Sequence, residues 1–171
     1  MPTKPTREQL QQSIHVICKV IGQIPCFHLY EENVAKRFST KEIALKAMTH
    51  NAALDSALIR LRCFNEFFSP NRKKDDIRAG DFPGVLMQPF LKPDDETAIN
   101  KYLAHITVTS SNIVTKPWFL DEMVILGLQH GVTFLSTIEA NFPPHVKVIR
   151  SELCGVRDAA RQLIPKIKRA T

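Results

Sequence analysis

The sequence predicts an all-α protein, an up-and-down bundle of four to five helices, on three observations. Apolar residues recur at three- and four-residue spacing over long stretches, which is the period of an amphipathic helix. Thr6 with Gln9 and Ser39 with Glu42 have the spacing of a capping box, in which each side chain satisfies an orphan amide of the other residue. Strand-like alternation is nearly absent, and only six Gly and two Tyr occur in 171 residues. That length suits a single domain, residues 1–171, with a core of its own.

Taken in order, the first helix starts at Thr6 and buries Leu10, Ile14, Ile17 and Ile21. Gly22 is placed to end it, and Pro25 marks the break. Residues Cys26 to Phe38 are ambiguous, with a turn or two of helix around Glu31 to Arg37. The Ser39 box opens a long helix that contains no Pro or Gly and runs to about Phe68. Its apolar face is Leu54, Leu58, Leu61 and either Phe64 or Phe68. Residues 77–93 hold Gly80, Pro83, Gly84, Pro89 and Pro93, and read as a structured loop packed through Ile77, Phe82, Leu86, Phe90 and Leu91. Asp94, Asp95 and Glu96 then place negative charge in the first turn of a central helix, where the dipole favours it. Ile99, Leu103 and Ile106 form its apolar stripe, and it ends between Thr107 and Asn112.

Pro117 opens the next helix, with Phe119, Met123, Leu126, His130, Phe134 and Ile138 at helical spacing to about Glu139, and Pro143 and Pro144 end it. Residues 145–149 suit a short strand or a helix equally. The last helix, about 151–169, turns Leu153, Val156, Ala160, Leu163, Ile164 and Ile167 inward and carries Arg150, Arg157, Arg161, Lys166, Lys168 and Arg169. Pro165 is expected to kink or break it.

The formal net charge of +6 permits a nucleic-acid partner without requiring one. The four cysteines, Cys18, Cys26, Cys63 and Cys154, form no CxxC pair and read as reduced, metal-free thiols of a cytoplasmic protein. His15, Cys18, Cys26 and His28 are zinc-ligand types at intervals that match no common zinc pattern. The polar N-terminus lacks a secretory h-region, and no apolar run of bilayer length is evident, so no membrane role is expected. No phosphate-binding glycine loop or nucleophile elbow is present, and no cofactor is implied.

The chemistry-bearing residues gather around the central helix. Asn100, Lys101 and His105 lie beside its apolar stripe. Arg62 on the long helix lies one turn from Leu58 and one turn from Glu66, at the margin of the apolar face. Asp75 and Asp76 follow the loop and can return to the same region. Such a cluster would suit phosphate binding or general acid–base work, with Asn100 and His105 as the catalytic candidates and Arg62, Glu66, Asp75, Asp76 and Lys101 as binding candidates. A purely structural cluster that fixes helix register is the other reading. A buried Arg62 would then make Arg62→Ala cost about 3 kcal/mol.

Arg62-Cys-Phe-Asn-Glu-Phe-Phe68, Asp75-Asp-Ile-Arg-Ala-Gly-Asp-Phe82, Asn100-Lys-Tyr-Leu-Ala-His-Ile-Thr107 and Pro117-Trp118 follow one another in the chain. In that order they resemble a group of uncharacterised bacterial proteins related to the HEPN helical bundles, over about residues 45–140. The resemblance implies a four- or five-helix bundle, often dimeric. Many HEPN members are metal-independent ribonucleases of toxin or phage-defence systems, with an Arg, a polar residue and a His on one helix. His105 matches that His and Asn100 the polar residue, but Ile99 stands where the Arg belongs, and Lys101 lacks the planar fork that grips a phosphate in two places. The resemblance therefore implies a non-catalytic module associated with RNA or a nucleotide, with a homodimer as a further expectation. A protein-interaction module without a nucleic-acid role and a ribonuclease with a degenerate motif are the alternatives.

Overall fold

The computed structural model describes residues 4–70, 76–104 and 120–170. Among them stand six α-helices and no strand: α1 (Arg7–Gln23), α2 (Cys26–Asn33), α3 (Ile43–Phe67), α4 (Pro93–Ala104), α5 (Leu120–Asn141) and α6 (Lys147–Ala170). The protein is an all-α bundle, with one helix beyond the four or five expected because the ambiguous stretch after Pro25 forms its own.

Both capping boxes start helices as expected. At α1 the Gln9 amide donates to the Thr6 hydroxyl at 3.2 Å, and the Thr6 amide donates to the Gln9 side chain at 2.8 Å. Ahead of α3 the Glu42 carboxylate accepts from the Ser39 amide at 3.0 Å and the Ser39 hydroxyl at 2.8 Å, closing a 3-10 turn that leads into the helix. The end of α1 differs from expectation. Gly22 lies inside the last turn, and Gly84 alone among the described residues has positive φ. No left-handed cap forms at Gly22; Pro25, with no amide to offer, separates α1 from α2.

Four helices meet at the centre. α5 buries Leu120, Met123, Val124, Leu128, Phe134, Leu135 and Ile138, and it touches α1, α3 and α6. Two glycines bring it close to its neighbours. A Cβ on Gly131 would lie 2.8 Å from Ile21, and one on Gly127 would lie 2.9 Å from Leu61. By length and composition alone α5 could cross a membrane, which the sequence reading had not anticipated. In the bundle its apolar side is spent on α1, α3 and α6, and fully burying each such side chain stabilises by about 1.5–3 kcal/mol.

The face of α3 falls where the spacing placed it, and both Phe64 and Phe68 are buried on it with Leu58 and Leu61. They join Phe67, Phe82, Phe90, Phe134 and Phe142 in a run of mostly edge-to-face ring contacts. His130 belongs to the same run, against Phe68 and Phe90, and its Nδ1 donates to the Leu126 carbonyl at 3.1 Å. The loop of residues 77–93 is anchored by Ala79, Phe82, Phe90 and Leu91, whereas Leu86 is 82% exposed and anchors nothing. Period alone cannot tell the inner from the outer apolar residues of an irregular segment.

Two buried amides hold the connections. Asn65 on α3 is almost wholly enclosed, and its Oδ1 accepts from the amides of Phe90 at 2.8 Å and Leu91 at 2.9 Å. Gln11 on α1 donates to the Pro143 carbonyl at 3.4 Å and accepts from the His145 amide at 3.1 Å, which fixes the turn between α5 and α6. That turn delivers residues 147–149 to the start of α6 as helix, not strand. Pro165 sits inside α6 without ending it, and Ile167 beyond it is still buried.

Candidate functional site

Of the residues the sequence singled out, Arg62, Glu66, Asp76, Asn100 and Lys101 are described; Asp75 and His105 lie outside the described residues, as do Pro117, Trp118 and Phe119. The expected meeting of Arg62 with His105 therefore falls outside them too. Arg62 pairs with Glu66 one turn along α3, Nε to Oε1 at 3.0 Å, and the two side chains are 39% and 45% exposed. Arg62 is not the buried cation that a structural cluster required. Asp76 does not reach it. The Asp76 carboxylate instead accepts from Arg78 at 2.5 Å.

Arg78 organises this region, and the sequence reading passed over it. Its side chain is largely buried and donates to the Glu66 carbonyl at the C-terminal end of α3, which also accepts from the Ser69 amide at 3.0 Å. The Arg78 amide also donates to Asp81 at 2.8 Å, closing the 3-10 turn 79–81. The signal was present in Asp76-Ile-Arg78, a basic residue soon after a helix end with a carboxylate two places before it.

On α4, Ile99 is fully buried, Lys101 is exposed, and Tyr102 reaches across to Asp55 of α3. Burial, and then the Asp55 carboxylate it bonds, push the Tyr102 phenol up. The Asn100 Oδ1 is buried and has no hydrogen-bond partner among the described residues. Between α1, α3 and the chain after α3 lies an open groove of about 510 Å³, with Val16, Ile17, Phe64 and Phe67 along its wall. Glu66, Asp76, Arg78 and Glu96 contribute the charges of its lining. Among the described residues of that lining, three carboxylates stand around one guanidinium.

The opposite balance is found on α6. It carries seven of the chain's Lys and Arg, at 147, 150, 157, 161, 166, 168 and 169, against Glu152 and Asp158, so five of the six net positive charges sit on this one helix. Leu153, Ala160 and Ile167 are buried, while Lys147, Arg150, Arg161, Lys166 and Lys168 are exposed. Arg157 lies lower, donating to Glu139 of α5 and, at 3.0 Å, to its neighbour Asp158. Arg161 reaches Ser136 of α5 at 3.2 Å and Asp158 at 3.6 Å.

The zinc-type residues of α1 and α2 are dispersed. His15 pairs with Glu152 of α6 at 2.5 Å, His28 with Asp121 of α5 at 2.5 Å, and the Cys26 thiol donates to the Ala53 carbonyl at 3.2 Å. Cys18 is enclosed in the core, and burial pushes its thiol up to about 12. All four cysteines are free thiols, and among the described residues no three His, Cys, Asp or Glu gather as a metal site. No protein-family model, curated protein or solved structure matches the chain.

Proposed function

We propose that this chain is a non-catalytic, HEPN-like helical module that associates with nucleic acid or a nucleotide in a bacterial defence or toxin–antitoxin type of system. The observation that carries the nucleic-acid part is the concentration of net charge on the outward side of α6. Clustered Lys and Arg along one helix are the electrostatic footprint of a phosphate backbone. The family part rests on the ordered motifs from Arg62 to Trp118. The absence of catalysis is supported by Ile99, which occupies the place of the motif Arg and is fully buried, so an Arg there would stand in the core. Gel-shift titration with RNA across a salt series tests the reading. Log affinity should fall linearly with log salt, and affinity that ignores salt would end it.

A second reading, a protein-interaction or dimerisation module, is favoured by the first turns of α3. There Ile43 and Met48 are 71% and 69% exposed, with Leu45 beside them. Sedimentation of the wild type and of Met48→Lys separates the readings: a dimer that dissociates on this substitution supports the second.

A further inference from the structure

We infer that α6 grips the sugar–phosphate backbone of a nucleic-acid duplex, and does not bind a single strand. The inference rests on the nucleic-acid reading above and names the ligand that this face fits. Three observations lead to it.

The first is geometric. Arg150, Arg161 and Lys168 are all exposed, and at 3.6 residues per turn they fall within about 20° of one another around the helix. From first to last they span about 27 Å along the axis. They form a row of cations along one side of the helix, with Pro165 between the second and the third. A duplex offers phosphates at fixed positions on a stiff framework, so such a row meets them without ordering the ligand. A single strand would have to be straightened along the row at a cost in chain entropy.

The second is electrostatic. Glu139 and Asp158 lie near the middle of the row, and Arg157 binds both. Asp158 also draws Arg161, at 3.6 Å. Arg157 and Arg161 together balance these two carboxylates. The neighbouring surface of α5 adds Gln129 and Thr133, both exposed and uncharged.

The third concerns the bases. Proteins that hold single strands stack successive bases on aromatic side chains. Among the described residues no Phe or Tyr is exposed, and the large exposed apolar groups are all aliphatic. The row can bind the backbone, and nothing described beside it can take an unstacked base.

The test uses the full chain with a blunt RNA duplex longer than α6, the DNA duplex of the same sequence, and each strand alone, in gel-shift and fluorescence-anisotropy titrations over a salt series. The expected result is tighter binding of the duplexes than of either strand, with a log–log salt slope that shrinks by about 0.9 for each phosphate contact removed. The double variant Arg150→Gln/Arg161→Gln should lose about two such contacts, so a slope change near 1.8 is expected. The control Lys36→Gln/Lys41→Gln removes the same charge from exposed sites between α2 and α3 and should leave the slope unchanged. Circular dichroism verifies that both variants remain folded. Single strands that bind as tightly as duplexes would overturn the duplex inference while leaving the nucleic-acid reading standing. An equal loss in the control would overturn the assignment to α6. No binding to any of the four ligands would overturn the functional reading itself.

Discussion

Asn65 and Arg62 sit one turn apart on the same helix and illustrate how little chemical type says about energetic weight. Asn65 is enclosed and is the acceptor for two buried amides, those of Phe90 and Leu91. Asn65→Leu leaves both donors unsatisfied, and each such group costs about 1–3 kcal/mol. Urea unfolding should therefore show a loss of at least 2 kcal/mol, on the order of the sum of the two. Arg62 shares a half-exposed ion pair with Glu66, of the kind that contributes about 0–1 kcal/mol. Arg62→Ala should fall in that range, well short of the 3 kcal/mol or so that a buried cation would cost. A loss from Arg62→Ala as large as that from Asn65→Leu would contradict the exposed geometry.

At the scale of the element, the start of α3 shows what a cap does. Hydrogen bonds from the Ser39 amide and hydroxyl hold the Glu42 carboxyl below its ordinary value of 4.5. A carboxylate whose folded pKa is depressed stabilises the fold above its unfolded pKa, and that contribution is lost as pH falls through the folded value. The stability difference between wild type and Glu42→Gln should accordingly be full at neutral pH and shrink below about pH 4.5. Denaturant titrations of both proteins down the acid limb check this, and a difference that grows on acidification would contradict a lowered Glu42 pKa. The same element also shows uneven packing. Its C-terminal half buries Leu61, Phe64 and Phe68, while its first turns leave Ile43 and Met48 in water.

For the whole molecule, the decisive contact is the close approach of α5 to α1 and α3 at Gly127 and Gly131. Ile21 and Leu61 occupy the space a side chain would need. Gly131→Val and Gly127→Val should each destabilise by about 1–3 kcal/mol, because the neighbouring helices must move apart to admit the added atoms. Helix propensity alone favours Val over Gly within a helix, which is why the sign is informative. Thermal unfolding with a raised midpoint in either variant would show that the helices are not in close contact there. The charge of the whole chain is also unevenly placed: α6 is strongly basic, and the groove near Arg78 is bounded by carboxylates.

By itself the sequence determined the helical class, both capping boxes, the inward faces of α1 and α3, part of those of α5 and α6, and the basic character of α6. These depend on periodicity and on contacts within about four residues, which are visible along the chain. On α5 it placed Met123, Phe134 and Ile138 but missed Leu120, Val124, Leu128 and Leu135. Tertiary structure alone decided that α2 is a helix held against α3, that residues 147–149 join α6, and that Pro165 does not break it. It also decided that Asp76 binds Arg78 in preference to Arg62, and that Asn65 and Gln11 clamp loops more than twenty residues distant. Those outcomes depend on which groups are brought out of water together. An amide or guanidinium costs free energy to bury until a partner reaches it, and that partner comes from a remote part of the chain whose distance no local pattern encodes.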